Sequence, residues 1–196
     1  MNIGIDIDDT LSNTYDISVA YGQRYNKDVL GRTCKLAHLS SKSYMYLRTI
    51  LSWNEKEETE FWDRYYEELI HNVVVKNFAK DVIKRLRQEG HKIYIVTARF
   101  TVDDFDVEKA SREWLDKNEI EYDEFILNAT NKAEVVKEKN IEVFVDDSVK
   151  NLESMKDLNI KRLLMDSRIN MSEEIDDSIK RVYSWIQVDE EIRNKN

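Results

Sequence analysis

Five short apolar runs, each followed by a helical pattern, constrain the fold of this chain more than any other feature of its sequence. The runs are rich in Ile and Val and are bounded by polar residues, which is typical of buried strands. They are NIGIDI (2–7), KIYIVTA (92–98), EFILN (124–128), EVFVDD (142–147) and KRLLMD (161–166). Because strands alternate with helices, the sequence predicts an α/β fold, with a parallel sheet covered by helices on both faces.

The segments between these runs have the spacing of amphipathic helices. The segment 77–90 places Phe78, Val82 and Leu86 on one face and ends at Gly90, a typical C-terminal cap. Further helices are predicted over 107–118, 132–140 and 149–159. A final one is predicted over 172–196, and its apolar side carries Ile175, Ile179, Val182, Tyr183 and Ile186.

The segment from Thr14 to Val75 breaks this alternation, because it is rich in aromatic residues and helical in pattern throughout. An insertion at the end of the first strand would stand over the carboxyl edge of the sheet, where open α/β sheets bind their ligands. We therefore predict a helical cap over residues 14–75 and an α/β core formed by 1–13 and 76–196. Most cap aromatics are expected to pack within the cap, and one or two to meet the substrate.

The composition narrows the functional classes. The 196 residues carry a net charge of −9, which argues against non-specific nucleic-acid binding and against docking on an anionic membrane. No apolar run approaches the ~20 residues that span a bilayer. The single cysteine, Cys34, excludes an internal disulfide and fits a reducing compartment, so a cytoplasmic location is expected. With four glycines and no proline, a glycine-rich phosphate loop is excluded.

Carboxylates crowd together where the first run ends, at Asp6, Asp8 and Asp9. Carboxylates this close repel one another, and a cation is the simplest reason to tolerate them. A carboxylate nucleophile next to a second carboxyl also suits phosphoryl transfer, in which Asp6 attacks phosphorus and Asp8 protonates the leaving oxygen. Asp9 has no chemical task in this scheme and is expected to face solvent or a nearby backbone amide.

Three further signals lie at the ends of later strands. Thr97 offers a hydroxyl for a phosphoryl oxygen, and Lys132 begins a helix, where its ammonium could face the same anion. Asp146 and Asp147 end the fourth run and complete a set of carboxylates suited to Mg²⁺.

Arg99 lies two residues beyond Thr97, and its sequence context leaves two interpretations open. It binds a second group of the substrate, or it forms a surface ion pair with Asp103 or Asp104 that contributes little.

The order of these motifs, D-x-D-x-T, then hhhT, then Lys, then DD, is similar to that of the haloacid-dehalogenase (HAD) superfamily of aspartate-nucleophile phosphatases. The resemblance implies a Rossmann-like three-layer core, an essential Mg²⁺ and a phosphoaspartate intermediate on Asp6. It also implies that the backbone carbonyl of Asp8 touches the metal. Asp147 falls in the metal-ligand place, with Asp146 beside it and Asn151 four residues on.

Within this superfamily, the helical cap after the first motif resembles the subclass that carries its cap at that point. The stretch TARFTVDD…SREWLDKNEIEYDEFIL, with the short final strand RLLMDS, resembles bacterial nucleotidases related to 5′(3′)-deoxyribonucleotidases. The expected function is a Mg²⁺-dependent phosphomonoesterase acting on a small molecule, with a nucleoside or deoxynucleoside monophosphate as the leading substrate. Another small metabolite, a nucleic-acid end, and a non-catalytic binding protein of the same fold are the alternatives. The sequence leaves the oligomeric state open.

Overall fold

The structure, a computed structural model, describes residues 1–33 and 47–194. Within these residues the strands are β1 (Asn2–Ile5), β2 (Lys92–Val96), β3 (Glu124–Ile126), β4 (Val143–Asp146), β5 (Lys161–Met165) and β6 (Ile179–Val182). The helices are α1 (Thr14–Asp28), α2 (Leu47–Leu51), α3 (Glu55–Asn72), α4 (Ala79–Gln88), α5 (Val107–Lys117), α6 (Lys132–Glu138), α7 (Val149–Glu153) and α8 (Trp185–Arg193).

The strands form one sheet in the order β3-β2-β1-β4-β5-β6, and every neighbouring pair is parallel. Alternate strand residues enter two separate apolar clusters, so that Ile3 and Ile5 pack on one face and Phe144 on the other. Gly4 lies under Phe144, where an added Cβ would come within 2.5 Å of its ring. The predicted parallel α/β sheet is confirmed, and its five predicted strands are β1 to β5.

The predicted final helix over 172–196 is wrong in its first half. Ile179–Val182 forms β6, which pairs with β5 through Arg162 opposite Ile179. The two apolar ends of this strand, Ile179 and Val182, are buried against the sheet. Both are β-branched, and docking at the sheet edge outweighs the weak helical spacing of the segment.

The same correction changes which tail residues are buried. Tyr183 and Ile186, predicted on the apolar side, are 67% and 45% exposed. The helix begins only at Trp185, and Trp185 and Val188 enter the core instead.

The start of α4 also differs from prediction. Phe78 is 53% exposed, because it precedes the helix with a left-handed backbone (φ +68°) and does not lie on the helical face. Val82 and Leu86 are buried, as predicted.

The inserted helices α1, α2 and α3 lie between β1 and α4, as predicted for a helical cap. The two segments that connect them to the sheet pair with each other: Asn13 donates its backbone N–H to Val74 (2.8 Å), and Lys76 donates to Leu11 (2.7 Å). Among the described cap aromatics, Tyr25, Trp53 and Phe61 pack edge-on or tilted in one buried cluster, as expected. The division into 14–75 and the remainder stays a prediction.

Cys34, Tyr44 and Tyr46 lie outside the described residues. Among the described helices, none has the length and the apolar character that crossing a bilayer requires.

Candidate active site

The backbone reverses direction directly after β1. Asp6 continues the ladder by donating its N–H to Val145 (3.0 Å), and the Leu11 N–H then returns to the carbonyl of Ile7 (2.8 Å). Asp9 has a left-handed backbone (φ +57°) in this turn. Its carboxylate accepts the backbone N–H of Tyr15 (3.0 Å), so it faces a backbone amide, one of the two places expected for it.

The turn faces a cavity of about 370 Å³ at the carboxyl edge of the sheet, between the core and the cap helices. All seven site residues predicted from the sequence line this cavity; they are Asp6, Asp8, Thr97, Arg99, Lys132, Asp146 and Asp147. Six of them meet because β1 lies between β2 and β4, so the ends of these three parallel strands are neighbours. Lys132 reaches the same edge from the start of α6, which follows β3.

Lys132 is the cation at the centre of this site. Its ammonium lies 2.6 Å from Asp6 Oδ1 and 2.7 Å from Asp146 Oδ2, and all three side chains are buried. Burial acts to lower the pKa of Lys132, but the Asp6 and Asp146 carboxylates raise it above its ordinary value. The lysine is therefore charged and offsets part of the negative charge of the cluster.

The carboxylates outnumber this cation. Ligand oxygens of Asp6, Asp146 and Asp147 all lie within 4.8 Å of one another. Burial, with the charges of Asp146 and Asp8, raises the pKa of Asp6 to about 7 in spite of Lys132. Burial also raises the pKa of Asp147 well above its ordinary value, together with repulsion from Asp146 and Asp6. The negative charge of these carboxylates therefore exceeds the positive charge that Lys132 supplies.

The hydrogen bonds distinguish Asp146 from Asp147. Asp146 accepts from Lys132, from the Ser148 backbone N–H (2.8 Å) and from the Asn151 amide (3.1 Å), so both of its oxygens are engaged. The Asp147 carboxylate accepts only a 3.3 Å contact from the Ser167 hydroxyl, among the described residues. Asp6 likewise keeps Oδ2 without a partner in the described part of the chain. Hard oxygen donors that lack partners and repel one another fit a divalent cation such as Mg²⁺.

This charge deficit predicts a stability effect that Mg²⁺ reverses. Carboxylates with a raised folded-state pKa stabilise the protein when protonated, and for Asp6 this contribution is lost as pH rises from about 4 through about 7. Asp147, whose pKa is also raised, acts in the same direction. We therefore expect the melting temperature of the metal-free protein to fall across that range, and Mg²⁺ to raise it more at pH 8 than at pH 5. Calorimetry with and without Mg²⁺ measures this, and Asp147→Asn should reduce the shift. An equal shift at both pH values would contradict the assignment.

Asp8 has a different environment, because it pairs with Arg99. The guanidinium Nε lies 2.9 Å from Asp8 Oδ2 and Nη2 lies 2.8 Å from Oδ1, while Thr14 donates its hydroxyl to Oδ1 (2.7 Å). Burial acts to raise the pKa of Asp8, but the Arg99 charge and the hydrogen bonds from Arg99 and Thr14 lower it below its ordinary value. The surface pair of Arg99 with Asp103 or Asp104 is wrong, since the Arg99 side chain is buried against Asp8.

Thr97 is buried at the end of β2, and its hydroxyl accepts the backbone N–H of Arg99 (3.2 Å). Thr14 and Ser111, which the sequence did not predict as site residues, bind the two ends of the Asp8–Arg99 pair. Each lies at or in a helix, while its partner lies in the segment after a strand. A serine or threonine in a helical segment gives no signal of its own.

The opposite side of the cavity is apolar and comes largely from the cap. Trp62, Tyr66, Leu69 and Ile70 of α3 line it, with Phe100 from the segment after β2. The rings of Tyr66 and Phe100 stack at 4.9 Å with an interplanar angle of 12°. The cavity therefore has a charged end at the sheet and an aromatic end at the cap. That one or two cap aromatics meet the substrate stays a prediction.

The parallel sheet with this cap, and the carboxylates at its edge, define a HAD-type phosphomonoester hydrolase. A HAD-superfamily hydrolase of subfamily IA, variant 1, from Geobacter sulfurreducens PCA has a crystal structure that matches with a TM-score of 0.63 and 14% identity, over 95% of this chain and 96% of that one. At this identity the likeness concerns the fold. "Putative nucleotidase YqfW" of Bacillus subtilis (strain 168) is 30% identical over 152 residues, which is 75% of this chain and 70% of that protein.

The family is identified by a model that matches residues 1–196, described as 5′ nucleotidase, deoxy (pyrimidine), cytosolic type C protein. The chain belongs to this family, and the HAD resemblance drawn from its motifs is confirmed.

Proposed function

We propose that this protein is a Mg²⁺-dependent nucleotidase that removes the phosphoryl group of a nucleoside or deoxynucleoside monophosphate through a phosphoaspartate on Asp6. The observation that carries the proposal is the pairing of two unlike carboxylates in one cavity. Asp6 keeps an oxygen without a partner beside Lys132, and Asp8 is held separately by Arg99. In the metal-free protein the pKa values run against these roles, since that of Asp6 is raised to about 7 and that of Asp8 is lowered by Arg99. The proposal therefore requires that the positive charge of Mg²⁺ ionises Asp6 and that Asp8 is protonated when the substrate binds.

In the first step, a carboxylate oxygen of Asp6 attacks phosphorus and the bond from phosphorus to the ester oxygen breaks. Asp8 gives a proton to that oxygen, so the leaving group departs as a neutral alcohol. In the second step, Asp8 takes a proton from a water that attacks phosphorus. The Asp6–phosphate bond then breaks, inorganic phosphate leaves, and the Asp6 carboxylate is restored.

Thr97 and Lys132 hold the phosphoryl oxygens in this proposal, since both line the cavity next to Asp6. Asp6 and Asp147 would hold Mg²⁺ through side chains and Asp8 through its carbonyl, with Asp146 orienting Lys132 and Asn151. When bound, Mg²⁺ supplies positive charge for the phosphoryl oxygens of the transition state.

The nucleoside part of the substrate is assigned to the aromatic end of the cavity. A phosphate at Asp6 would direct its leaving group toward Trp62, Tyr66 and Phe100, which line the opposite side. Flat aromatic surfaces favour a base over the hydroxyl-rich body of a sugar phosphate. The family match and the nucleotidase name of the Bacillus relative support the same substrate class.

The test is phosphate release from deoxynucleoside and nucleoside monophosphates, ribose 5-phosphate, a 5′-phosphorylated oligonucleotide and 4-nitrophenyl phosphate. We expect Mg²⁺-dependent turnover, abolished by chelator, with the highest kcat/KM for a mononucleotide. Tyr66→Leu should raise KM for the mononucleotide and leave ribose 5-phosphate nearly unchanged, because it removes an aromatic face and keeps an apolar side chain.

Preference for ribose 5-phosphate would contradict the nucleotidase assignment, and preference for the oligonucleotide would favour the nucleic-acid-end alternative. No release from any substrate, including 4-nitrophenyl phosphate, would contradict phosphatase activity and favour a binding protein. Phe78→Leu is a matched control, because it removes an exposed aromatic ring outside the cavity.

A further inference from the structure

The guanidinium of Arg99 contacts three side chains, those of Asp8, Ser111 and Trp114. Two of its nitrogens donate to the two Asp8 oxygens, and a third, Nη1, donates to Ser111 Oγ (3.1 Å) in α5. The guanidinium carbon also lies 5.9 Å from the centre of the Trp114 ring. Because Ser111 and Trp114 are buried in the core, their contacts hold the planar guanidinium of Arg99 in one orientation toward the Asp8 carboxylate.

The hydrogen bonds also distinguish the two oxygens of Asp8. Oδ1 accepts from Arg99 Nη2 (2.8 Å) and from the Thr14 hydroxyl (2.7 Å), so both of its lone pairs are occupied. Oδ2 accepts from Arg99 Nε (2.9 Å) alone, within the part of the chain that the structure describes. One lone pair of Oδ2 therefore remains for a proton in transit.

We propose that Arg99 is a positioning residue that acts through Asp8, aligning Oδ2 for proton transfer to the leaving oxygen, and that Ser111 in turn positions Arg99. This inference rests on the proposed function, because it assigns Asp8 the acid role. It differs from the prediction that Arg99 binds a substrate group: three of its five N–H groups are already donated within the protein.

A positioning role and a phosphate-binding role for Arg99 predict different effects of the leaving group on the rate lost by a variant. A misplaced acid slows the release of an alcohol, which needs a proton, but hardly slows the release of 4-nitrophenolate, which leaves without one. The quantity to compare is kcat/KM, because it reports the steps up to departure of the leaving group and excludes hydrolysis of the phosphoenzyme. A phosphate-binding arginine would instead affect both substrates alike and weaken inhibition by inorganic phosphate.

We expect Arg99→Met to lower kcat/KM for the preferred mononucleotide about 100-fold, and for 4-nitrophenyl phosphate less than about 5-fold. The inhibition constant for inorganic phosphate should stay within about twofold. In an Asp8→Asn background, Arg99→Met should cost less than about threefold more, because the group through which it acts is already removed.

Ser111→Ala gives an independent test if Arg99→Met fails to fold. Ser111 does not line the cavity, so it cannot bind substrate directly. We expect a loss of about 5-fold for the mononucleotide and none for 4-nitrophenyl phosphate. Arg112→Met is the matched control, since Arg112 lies next along α5 and pairs with Glu108 outside the cavity.

Three results would each overturn the positioning role and make Arg99 a phosphate ligand. They are equal losses of kcat/KM on both substrates, a raised inhibition constant for inorganic phosphate, and effects on kcat/KM that add to those of Asp8→Asn. An unchanged Ser111→Ala would overturn the role of Ser111. Wild-type protein that releases phosphate from neither substrate would contradict the proposed function itself, a result distinct from any of these.

Discussion

Replacing Asp6 with Asn is expected to lower kcat by a factor on the order of 10⁴ or more, because the amide is not a nucleophile toward phosphorus. The change is nearly isosteric, and the Asn oxygen can still accept from Lys132, so folding should be retained. The measurement is phosphate release together with acid-stable labelling of the protein by a ³²P-substrate. Labelling should disappear in Asp6→Asn and persist in Asp8→Asn when the substrate is an aryl phosphate.

Asp9→Asn is the matched control for this variant. It removes a carboxylate three residues away, whose own pKa burial raises to about 7, and the Asn oxygen can keep the hydrogen bond from Tyr15. We expect its turnover to stay within about threefold of wild type. Full labelling of Asp6→Asn would contradict the nucleophile assignment and direct attention to Asp147, the other carboxylate with few partners.

Replacing Lys132 with Met is expected to destabilise the metal-free protein by about 3–5 kcal/mol, or on the order of 10 °C in melting temperature. The lysine is the buried cation that bonds both Asp6 and Asp146, and without it three neighbouring carboxylates lack compensation. The loss should be larger at pH 8 than at pH 5, because the uncompensated carboxyls are then ionised. Mg²⁺ should restore part of the stability and little of the activity. The measurement is calorimetry at both pH values with and without Mg²⁺.

Lys139→Met provides the comparison for this variant, because Lys139 pairs with Glu124 and Glu138 at the surface. Surface pairs of this kind contribute little, so a change of less than about 2 °C is expected. A similar melting temperature for the two variants would show that Lys132 is not the main compensating charge of the cluster.

The alternation of apolar runs and helical patterns was enough to predict the parallel sheet and its five strands, because burial on both faces leaves a strong signal in sequence. The tail was not predictable in this way. Ile179 and Val182 suit a helical face as well as a strand, and β5, the partner that decides between them, lies earlier in the chain. The burial of Phe78 was predicted wrongly for a related reason. Its left-handed backbone depends on how the segment that links the cap to the sheet leads into α4.

The sequence by itself determined the chemical groups of the site and the strand ends that carry them. Only the tertiary structure decided the partners of each group. Lys132 joins Asp6 to Asp146 across 126 and 14 residues of chain, and Arg99 reaches Asp8 across 91. Hydrogen bonds depend on distances of about 3 Å, and such distances follow from strand order and helix packing, which residue types and spacing do not specify.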